Sequence, residues 1–267
     1  MIVSTPKVNF NVEVIGDIKN KIPLVFLHGF MGSTKSWNEI VPHFTNPIIL
    51  IDLPGHGKSH FKKIDNYSFN DWDNDLKLIL GQLEIAHIYL CGYSMGGRLA
   101  ISFACQFPMI VDKLILESSM PGISDLEERN HRVEEDKLDV LKIRNDYLSF
   151  IKYWSENKLF TNQKIRNLTG WEAQKKIRTD QNPLQISLSL EFLGVGKMSP
   201  KWDVLSELYS TTMLITGNED SKYCRIATEF LQKIPDCKWV NISNCGHNIH
   251  LEQSSQFIES MNSFLYS

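Results

Sequence analysis

The segment Gly92-Tyr93-Ser94-Met95-Gly96-Gly97-Arg98 contains the pattern G-x-S-x-G, the most informative motif of the chain. An apolar run from Ile88 to Cys91 precedes it and predicts a strand, while the residues from Gly97 to Phe107 predict a helix. Glycines at these positions permit a strand-to-helix turn so tight that the central side chain is lifted above the sheet. Ser94 would then be exposed at the start of a helix, and we predict that it is a catalytic nucleophile.

Short apolar runs on both sides of this stretch predict the rest of the sheet. Most of them are continuous rather than alternating, which is typical of parallel strands covered on both faces. The predicted strands are Leu24 to Leu27, Ile48 to Ile51, Ile88 to Cys91, Leu114 to Glu117, Thr212 to Thr216 and Trp239 to Ile242. Helix-length stretches lie between several of them, at Trp72 to Leu83, Gly97 to Phe107 and Ala227 to Ile234. This alternation predicts a three-layer α/β fold with a mostly parallel sheet.

The alternation stops after Glu117 and resumes near Thr212, which predicts an insertion. The intervening residues are rich in charge and in helix formers, with helices expected at Asp125 to Lys142, Tyr147 to Trp154 and Trp171 to Arg178. We predict a helical cap at 120–203, inserted between strands 6 and 7 of a core formed by 1–119 and 204–267. A cap over the carboxyl edge of the sheet would shield a site from water. An insertion without a role at the site is the alternative.

Composition limits the classes of ligand and the location. The net charge of −3 gives no broad basic field for nucleic acid or an anionic membrane, so an anionic ligand must meet local cations. No apolar run is long enough to cross a bilayer, and the N-terminus shows no signal peptide, so we expect a cytoplasmic protein without a membrane span. The five cysteines are odd in number and lack a C-x-x-C pair, which argues against a disulfide framework and a zinc site. We expect no metal and no cofactor.

A serine hydroxyl needs a base, and the base needs a third group that fixes its tautomer. In the α/β-hydrolase fold the chain order is serine, then an acidic residue, then histidine. Asp220 follows the strand at Thr212 to Thr216, and His247 sits at a glycine turn after the last strand. We therefore predict Ser94, Asp220 and His247 as the triad, with Glu219 and Glu117 as the other candidates for the acid.

The segment His28-Gly29-Phe30 follows the first buried strand, where this fold usually provides one N–H of an oxyanion hole. The second N–H comes from the residue after the nucleophile, so we assign the hole to the backbones of Phe30 and Met95. His28 precedes the nucleophile in the wrong order to be the base, and a packing or hydrogen-bonding role is expected for it. Asp52 and His56 are interpreted as turn residues.

Arg98 lies one helical turn after Ser94, so its guanidinium is expected close to the reacting centre. A guanidinium matches a carboxylate bidentately, whereas a pocket for neutral esters has no use for a buried cation. Arg98 therefore predicts a substrate that carries carboxylates. A salt bridge inside the protein is the alternative for this side chain.

Several motifs together resemble a specific enzyme family. They are LHGF at Leu27 to Phe30, DLPGHG at Asp52 to Gly57, GYSMGGR at Gly92 to Arg98, SSMPG at Ser118 to Gly122 and GNEDSK at Gly217 to Lys222. Over essentially the full chain the sequence is similar to the 2-succinyl-6-hydroxy-2,4-cyclohexadiene-1-carboxylate (SHCHC) synthases of menaquinone biosynthesis. The resemblance implies elimination of pyruvate from an enolpyruvyl cyclohexene carboxylate, with the triad as a base that removes a ring proton and no acyl-enzyme.

The resemblance also implies a cationic pocket of Arg98, Arg129 and Arg178, lined by Tyr93 and Trp154, for a small polycarboxylate. From the residues alone, a solvated role on a charged helix face is favoured for Arg129, because the spacing to Glu128 and Arg132 explains it. Two other classes of function stay open at this point. A carboxylesterase or carbon–carbon bond hydrolase would keep the triad but has no need of Arg98, and a non-catalytic binding protein needs neither.

Overall fold

The computed structural model describes residues 1–160 and 162–267, except for the side chain of Lys158. The strands are β1 (Ile2–Ser4), β2 (Val8–Ile15), β3 (Leu24–Leu27), β4 (Ile48–Ile51), β5 (His60–Phe61), β6 (Ile88–Tyr93), β7 (Val111–Glu117), β8 (Thr211–Gly217) and β9 (Cys237–Ile242). The helices are α1 (Phe69–Gln82), α2 (Met95–Gln106), α3 (Leu126–Asn145), α4 (Tyr147–Ser155), α5 (Gln163–Arg166), α6 (Leu168–Thr179), α7 (Pro183–Leu193), α8 (Ser221–Leu231), α9 (Ile249–Glu252) and α10 (Ser254–Leu265).

The strands form one sheet in the order β1-β2-β4-β3-β6-β7-β8-β9, and the short β5 pairs with β2. From β4 to β9 every neighbouring pair is parallel, whereas β1, β2 and β5 pair antiparallel. Helices α1, α2 and α8 cover one face of the sheet, and α10 covers the other. The predicted three-layer α/β architecture is confirmed.

The central strands are apolar throughout because both of their faces are covered. Every residue of β3 and β4 is buried. On one side the sheet packs against Trp72 of α1 and Phe230 of α8, and on the other against Phe257 of α10. Burial of each large side chain of this kind stabilises the fold by about 1.5–3 kcal/mol. The sheet is therefore a rigid platform for the residues at its carboxyl edge.

Strand β2 has no counterpart among the predicted strands, although its sequence carries a signal for one. Val8, Phe10 and Val12 alternate with polar residues and face the core, which is the pattern of an antiparallel strand half exposed to water. Continuous apolar runs indicate buried parallel strands, and the alternating sequence of β2 is not such a run. The antiparallel strands β1 and β2 extend the sheet beyond β4, and Asn11 of β2 donates to Asp52 Oδ2 at 2.9 Å.

The predicted helix at Ala227 to Ile234 begins earlier in the structure, at Ser221. Asp220 occupies the N-cap position of α8, yet its side chain accepts no hydrogen bond from the first turn. An aspartate at an N-cap ordinarily satisfies an N–H of that turn. The carboxylate of Asp220 is thus free to bond elsewhere.

Helices α3 to α7 lie between β7 and β8, in the insertion that the sequence indicates. If the short β5 is set aside, this is the interval between the sixth and the seventh strands. The helices have an apolar cluster of their own, in which Val140, Phe150 and Ile186 pack against Met31 from the core. No helix in the described ranges is both long and apolar enough to span a bilayer.

Candidate active site

Ser94 lies in a strained turn between β6 and α2. Its backbone has φ of 50° and ψ of −105°, a left-handed conformation that is costly for a residue with a side chain. A Cβ at Gly96 would collide with the carbonyl oxygen of Leu27, so only glycine fits where the turn crosses the neighbouring strand. The Ser94 N–H donates to the carbonyl of Glu117 at 2.9 Å, which fixes the turn against β7.

Ser94, His247 and Asp220 form a hydrogen-bonded chain. His247 Nε2 lies 3.1 Å from Ser94 Oγ, and His247 Nδ1 lies 2.6 Å from Asp220 Oδ2. The side chains of His247 and Asp220 are 2% and 4% exposed, so water does not compete for their hydrogen bond. A proton on Nδ1 donates to the carboxylate and leaves Nε2 as the acceptor for the serine hydroxyl. His247 Nε2 can therefore accept the hydroxyl proton of Ser94 when Ser94 Oγ removes a proton from a ligand.

A second buried histidine–carboxylate pair adjoins the first. His250 Nδ1 lies 2.7 Å from Glu117 Oε2, and the His250 N–H donates to Glu117 Oε1 at 2.9 Å. The ring of Tyr93 lies between the two histidines, with ring centroids 5.5 Å from His247 and 5.0 Å from His250. Glu117, a candidate for the triad acid, is therefore occupied by a different histidine. The other candidate, Glu219, is exposed and pairs with Arg166.

Two backbone N–H groups near Ser94 are available to a ligand. In the described chain, neither the N–H of Phe30 nor that of Met95 has a hydrogen-bond acceptor. Phe30 and Met95 both line the cavity that contains Ser94. Unpartnered N–H groups beside a nucleophile are the components of an oxyanion hole.

His28, Asp52 and His56 are bonded within the protein. His28 Nε2 accepts from the N–H of Leu53 at 3.0 Å, so Nδ1 carries the proton and donates to the carbonyl of Gly29 at 2.8 Å. Burial lowers the pKa of His28 to about 4 and that of His56 to about 3, which keeps both rings neutral. Asp52 accepts from the N–H groups of Thr34 and Lys58 at 2.7 and 2.9 Å. These side chains hold the loops next to the site.

A cavity of about 470 Å³ lies above Ser94, between the sheet edge and the helices of the insertion. The cavity brings together most of the side chains that the sequence indicates. The predicted residues that line it are Phe30, Tyr93, Ser94, Met95, Arg98, Trp154, Arg178 and His247. Asp220 lies behind His247 and does not line the cavity in the described structure. A cavity of this volume accommodates a small polar metabolite.

Arg98 enters the cavity without a carboxylate partner. No aspartate or glutamate of the described chain forms a salt bridge with it, and its Nε atom is buried without a hydrogen-bond acceptor. Burial lowers the pKa of Arg98 to about 10, so the side chain still carries its charge at neutral pH. A half-buried cation whose Nε atom is buried without an acceptor is costly unless a ligand supplies the opposite charge. The geometry favours an anionic ligand over an internal salt bridge.

Arg178 and Trp154 present further donors to the same cavity. Arg178 is 4% exposed, and its guanidinium lies over the ring of Phe160 and donates to Ser155 Oγ at 3.2 Å. Trp154 packs edge-on against Phe30, and its buried Nε1–H has no acceptor within the described ranges. Buried donors without partners are rare in native proteins and point to a missing ligand.

Arg132, rather than Arg129, is the arginine of α3 that lines the cavity. Arg129 lies one turn earlier, where its backbone carbonyl packs against Gly196 in the short turn after α7. Arg132 forms a salt bridge with Asp136 at 2.8 Å, so its charge is partly balanced already. The placement of Arg129 in the cationic pocket is corrected accordingly.

Lys222 is a cation of the cavity to which the sequence analysis gave no role. It follows Asp220 by two residues in the first turn of α8 and lines the cavity beside Tyr223 and His247. No carboxylate in the described part of the protein forms a salt bridge with Lys222. The signal in the sequence is its position two residues after Asp220, within the GNEDSK segment at Gly217 to Lys222. Metal ligands are not gathered here, since the described residues contain no group of three or more histidine, cysteine, aspartate or glutamate side chains that could hold an ion.

The sequence matches a known family along most of its length. Residues 22–254 match the family described as the alpha/beta hydrolase fold. The matched range includes Ser94, Asp220 and His247, and it leaves out β1, β2 and nearly all of α10. The order of the strands around Ser94 agrees with this match.

Three individual proteins are similar over nearly the whole chain. A Bacillus subtilis (strain 168) protein named provisionally as 2-succinyl-6-hydroxy-2,4-cyclohexadiene-1-carboxylate synthase is 34% identical over 91% of this chain and 90% of its own. The Escherichia coli O1:K1 protein with that name is 29% identical over 89% and 91%. The solved structure of MenH from S. aureus has a TM-score of 0.89 at 29% identity and covers 98% of both chains.

Proposed function

Because this chain belongs to the alpha/beta hydrolase fold family and, within it, to the SHCHC synthases, we propose that it eliminates pyruvate from 2-succinyl-5-enolpyruvyl-6-hydroxy-3-cyclohexene-1-carboxylate in menaquinone biosynthesis. One observation carries the proposal. Arg98 and Arg178 enter the cavity of Ser94 and His247 without carboxylate partners in the described chain. A cytoplasmic location, where a water-soluble polycarboxylate would be met, is part of the proposal.

The names of the substrate and product define the bonds that change. The ring loses a proton from C2, next to the succinyl carbonyl, and the electron pair forms an enolate on that carbonyl. When the carbonyl re-forms, double bonds appear at C2–C3 and C4–C5, and the C5–O bond breaks. The departing enolpyruvate takes up a proton and becomes pyruvate. No water is consumed, so no acyl-enzyme is needed.

The residues around Ser94 suit this sequence of steps. His247, oriented by Asp220, accepts a proton from Ser94 Oγ as the serine removes the ring proton, and later returns it to the leaving group. The N–H groups of Phe30 and Met95 would stabilise the enolate oxygen, which gains charge only as the proton leaves. Ser94 thus acts as a proton relay.

The cations of the cavity suit the charge of the substrate. The substrate has three carboxylates, on the ring, the succinyl chain and the enolpyruvyl group. Three cations that line the cavity lack a carboxylate partner in the described structure: Arg98, Arg178 and Lys222. Arginine forks bind carboxylates through two parallel hydrogen bonds. We propose that these side chains hold the substrate, with Tyr93 and Trp154 against the ring and residues 120–203 as the cap.

The test compares elimination with hydrolysis. Purified protein is supplied with the enolpyruvyl substrate, and pyruvate is measured with a coupled dehydrogenase. The same preparation is supplied with a neutral aryl ester. We expect fast release of pyruvate and slow turnover of the ester, since a neutral ester leaves the cations of the cavity without a counter-charge. Fast ester hydrolysis without release of pyruvate would reject the proposal in favour of a hydrolase.

A further inference from the structure

Gln181 lies in the connection between α6 and α7, and its side-chain amide is bonded to two loops of the core. Its Nε2 donates to the carbonyl of Gly32 at 2.8 Å, and its Oε1 accepts from the N–H of Gly57 at 2.7 Å. Gly32 belongs to the loop after β3, whereas Gly57 belongs to the loop after β4. Gln181 is buried, so water competes little for either hydrogen bond. One amide therefore joins these two loops.

The loop after β3 carries the N–H of Phe30 that is assigned to the oxyanion hole, and part of this loop is a strained turn. The N–H of Gly32 donates to the carbonyl of Gly29 at 3.0 Å, which closes the turn. Met31 within the turn has φ of 60°, a conformation that is costly for a residue with a side chain. Such a conformation persists only where the surrounding contacts hold it. Gln181 supplies one of these contacts, two residues beyond Phe30.

The turn has an anchor at each end. At its start, the carbonyl of Gly29 accepts from His28 Nδ1 at 2.8 Å, and at its end the carbonyl of Gly32 accepts from Gln181. His28 Nε2 in turn accepts from the N–H of Leu53, which belongs to the loop after β4. Both anchors therefore connect the turn to the same second loop. His28 does so from within the core, and Gln181 does so from the inserted helices.

Gln181 is also close in sequence to a cation of the cavity. Its N–H donates to the carbonyl of Arg178 at 3.4 Å, and Arg178 lines the cavity above Ser94. Gln181 itself is not among the described residues that line this cavity, so it acts on a ligand only through its neighbours. The segment 178–181 thus presents a guanidinium to the cavity and an amide to the turn that carries the N–H of Phe30.

We propose that Gln181 is a positioning residue for the oxyanion hole. By holding the carbonyl of Gly32, it keeps the N–H of Phe30 directed at the oxygen that gains charge beside Ser94. The inference rests on the proposed function for its reaction, but not for the geometry of the turn. Without the hydrogen bond from Gln181, the strained backbone at Met31 relaxes and the N–H of Phe30 turns away. Oxyanion donors act mainly in the transition state, so the loss falls on kcat rather than on KM.

The test compares Gln181→Glu with a matched control, Gln185→Glu. Gln185 forms the same kind of two-way contact, with the N–H of Phe61 at 2.7 Å and the carbonyl of Phe61 at 3.4 Å, but Phe61 belongs to the short strand β5. In both variants the ionised carboxylate keeps the acceptor and loses the donor.

The two variants should differ in kcat. We expect Gln181→Glu at about pH 8 to lower kcat for pyruvate release by about 10- to 100-fold per folded molecule, because misplacement of a catalytic group by about 1 Å has effects of this size. KM should change by less than about threefold, as for an interaction made only in the transition state. Gln185→Glu, whose contact lies away from the turn, should leave kcat within about twofold of the parent.

The pH dependence of Gln181→Glu separates positioning from a general loss of structure. The introduced carboxyl lies against the carbonyl of Gly32, and burial together with that carbonyl raises its pKa above the usual value of about 4.3. As pH falls, the carboxyl gains a proton and can again donate to Gly32. The ratio of the parent kcat to the variant kcat should therefore shrink by at least about threefold between about pH 8 and about pH 5.5. Gln181→Met, which keeps the length of the side chain without its polar atoms, should have a lowered kcat without this recovery.

A second measurement does not depend on the reaction. Hydrogen–deuterium exchange followed by mass spectrometry should show faster exchange at 28–33 in Gln181→Met, and no such change in Gln185→Glu. Unchanged exchange at 28–33, an equal loss of kcat in Gln185→Glu, or a raised KM with kcat unchanged in Gln181→Glu would overturn the inference. If neither the parent nor any variant releases pyruvate while the exchange pattern holds, the proposed function fails and the positioning of the turn stands.

Discussion

The two buried histidine–carboxylate pairs at the sheet edge are alike in geometry. They differ in the surroundings of the Nε2 atom of each histidine. His247 and His250 each have Nδ1 within 2.7 Å of a carboxylate oxygen, and both rings are 2% exposed. His247 Nε2 faces the hydroxyl of Ser94 at 3.1 Å. His250 Nε2 is buried and has no partner in the described structure.

A histidine–carboxylate pair is therefore not by itself a catalytic device. The pair of His250 and Glu117 connects the end of β7 to the start of α9, and Trp37 lies against its imidazole with ring centroids 4.3 Å apart. The strained turn at Ser94 is what gives His247 a hydroxyl to deprotonate. We therefore expect catalysis from the first pair and structural support from the second.

The largest expected effect separates the two histidines. His247→Ala should lower kcat for pyruvate release by about 10²- to 10⁴-fold, the usual contribution of a general base. His250→Ala should lower kcat by less than about tenfold per folded molecule, and chiefly reduce stability. Steady-state rates, corrected for the folded fraction by circular dichroism, check both variants. Equal losses of kcat in the two variants would remove the distinction between the pairs.

The next effect concerns Arg98, the cation one helical turn after Ser94. Arg98→Ala should lower kcat/KM for the enolpyruvyl substrate by about 10²-fold, since a hydrogen bond to a charged group contributes about 1.5–3 kcal/mol and Arg98 can form two. Arg129→Ala, on the same chain but away from the cavity, is the control and should change kcat/KM by less than about twofold. Both values come from initial rates over a range of substrate concentrations. An unchanged kcat/KM in Arg98→Ala would exclude this residue from the site.

A smaller effect concerns the second pair. Glu117→Gln keeps an acceptor for the N–H of His250 but loses the carboxylate that faces Nδ1. We expect the free energy of unfolding to fall by about 1–3 kcal/mol, the usual cost of a mismatched buried polar group. Urea unfolding followed by tryptophan fluorescence measures the change. A loss of kcat as large as that of His247→Ala would instead give Glu117 a direct part in the chemistry.

The smallest effect concerns Asp73, a buried carboxylate with no histidine beside it. Burial raises its pKa to about 7, and Ser102 Oγ donates to it at 2.8 Å. A raised pKa in the folded state means that this group supports stability at low pH, and that the support is lost as pH rises from about 4 to about 7. Asp73→Asn removes the buried charge, so it should raise the free energy of unfolding at pH 8 and leave it nearly unchanged at pH 4. Thermal unfolding at the two pH values checks this, and an equal change at both would contradict the assignment.

The position of the three loops that carry Ser94, Asp220 and His247 could be predicted from the sequence because each loop follows a strand rich in apolar residues. Ser94, Asp220 and His247 come just after β6, β8 and β9, and the carboxyl ends of parallel strands meet at one edge. Their relative order along the chain then limits their roles. The local motifs and the order of the strands therefore predict the same position for these three residues, at the carboxyl edge of the sheet.

The orientation of the inserted helices toward the cavity could not be predicted from the sequence. Helix α3 carries charges on nearly every face, so its sequence does not indicate which side meets the cavity. Its packing against α7 and the turn at 195–197 turns Arg132 inward and leaves Arg129 beyond the cavity. The hydrogen bond from Gln181 to Gly32 joins residues far apart in sequence, and no local pattern marks it.

The mass of the ring product distinguishes elimination from hydrolysis. In the proposed reaction His247, acting through Ser94, removes a proton and pyruvate leaves by elimination. The product should then be a conjugated diene, formed in equal amount with pyruvate and lighter by one water molecule than the product of hydrolysis. A ring product that retains the added water, or an acyl group trapped on Ser94 during turnover, would contradict it.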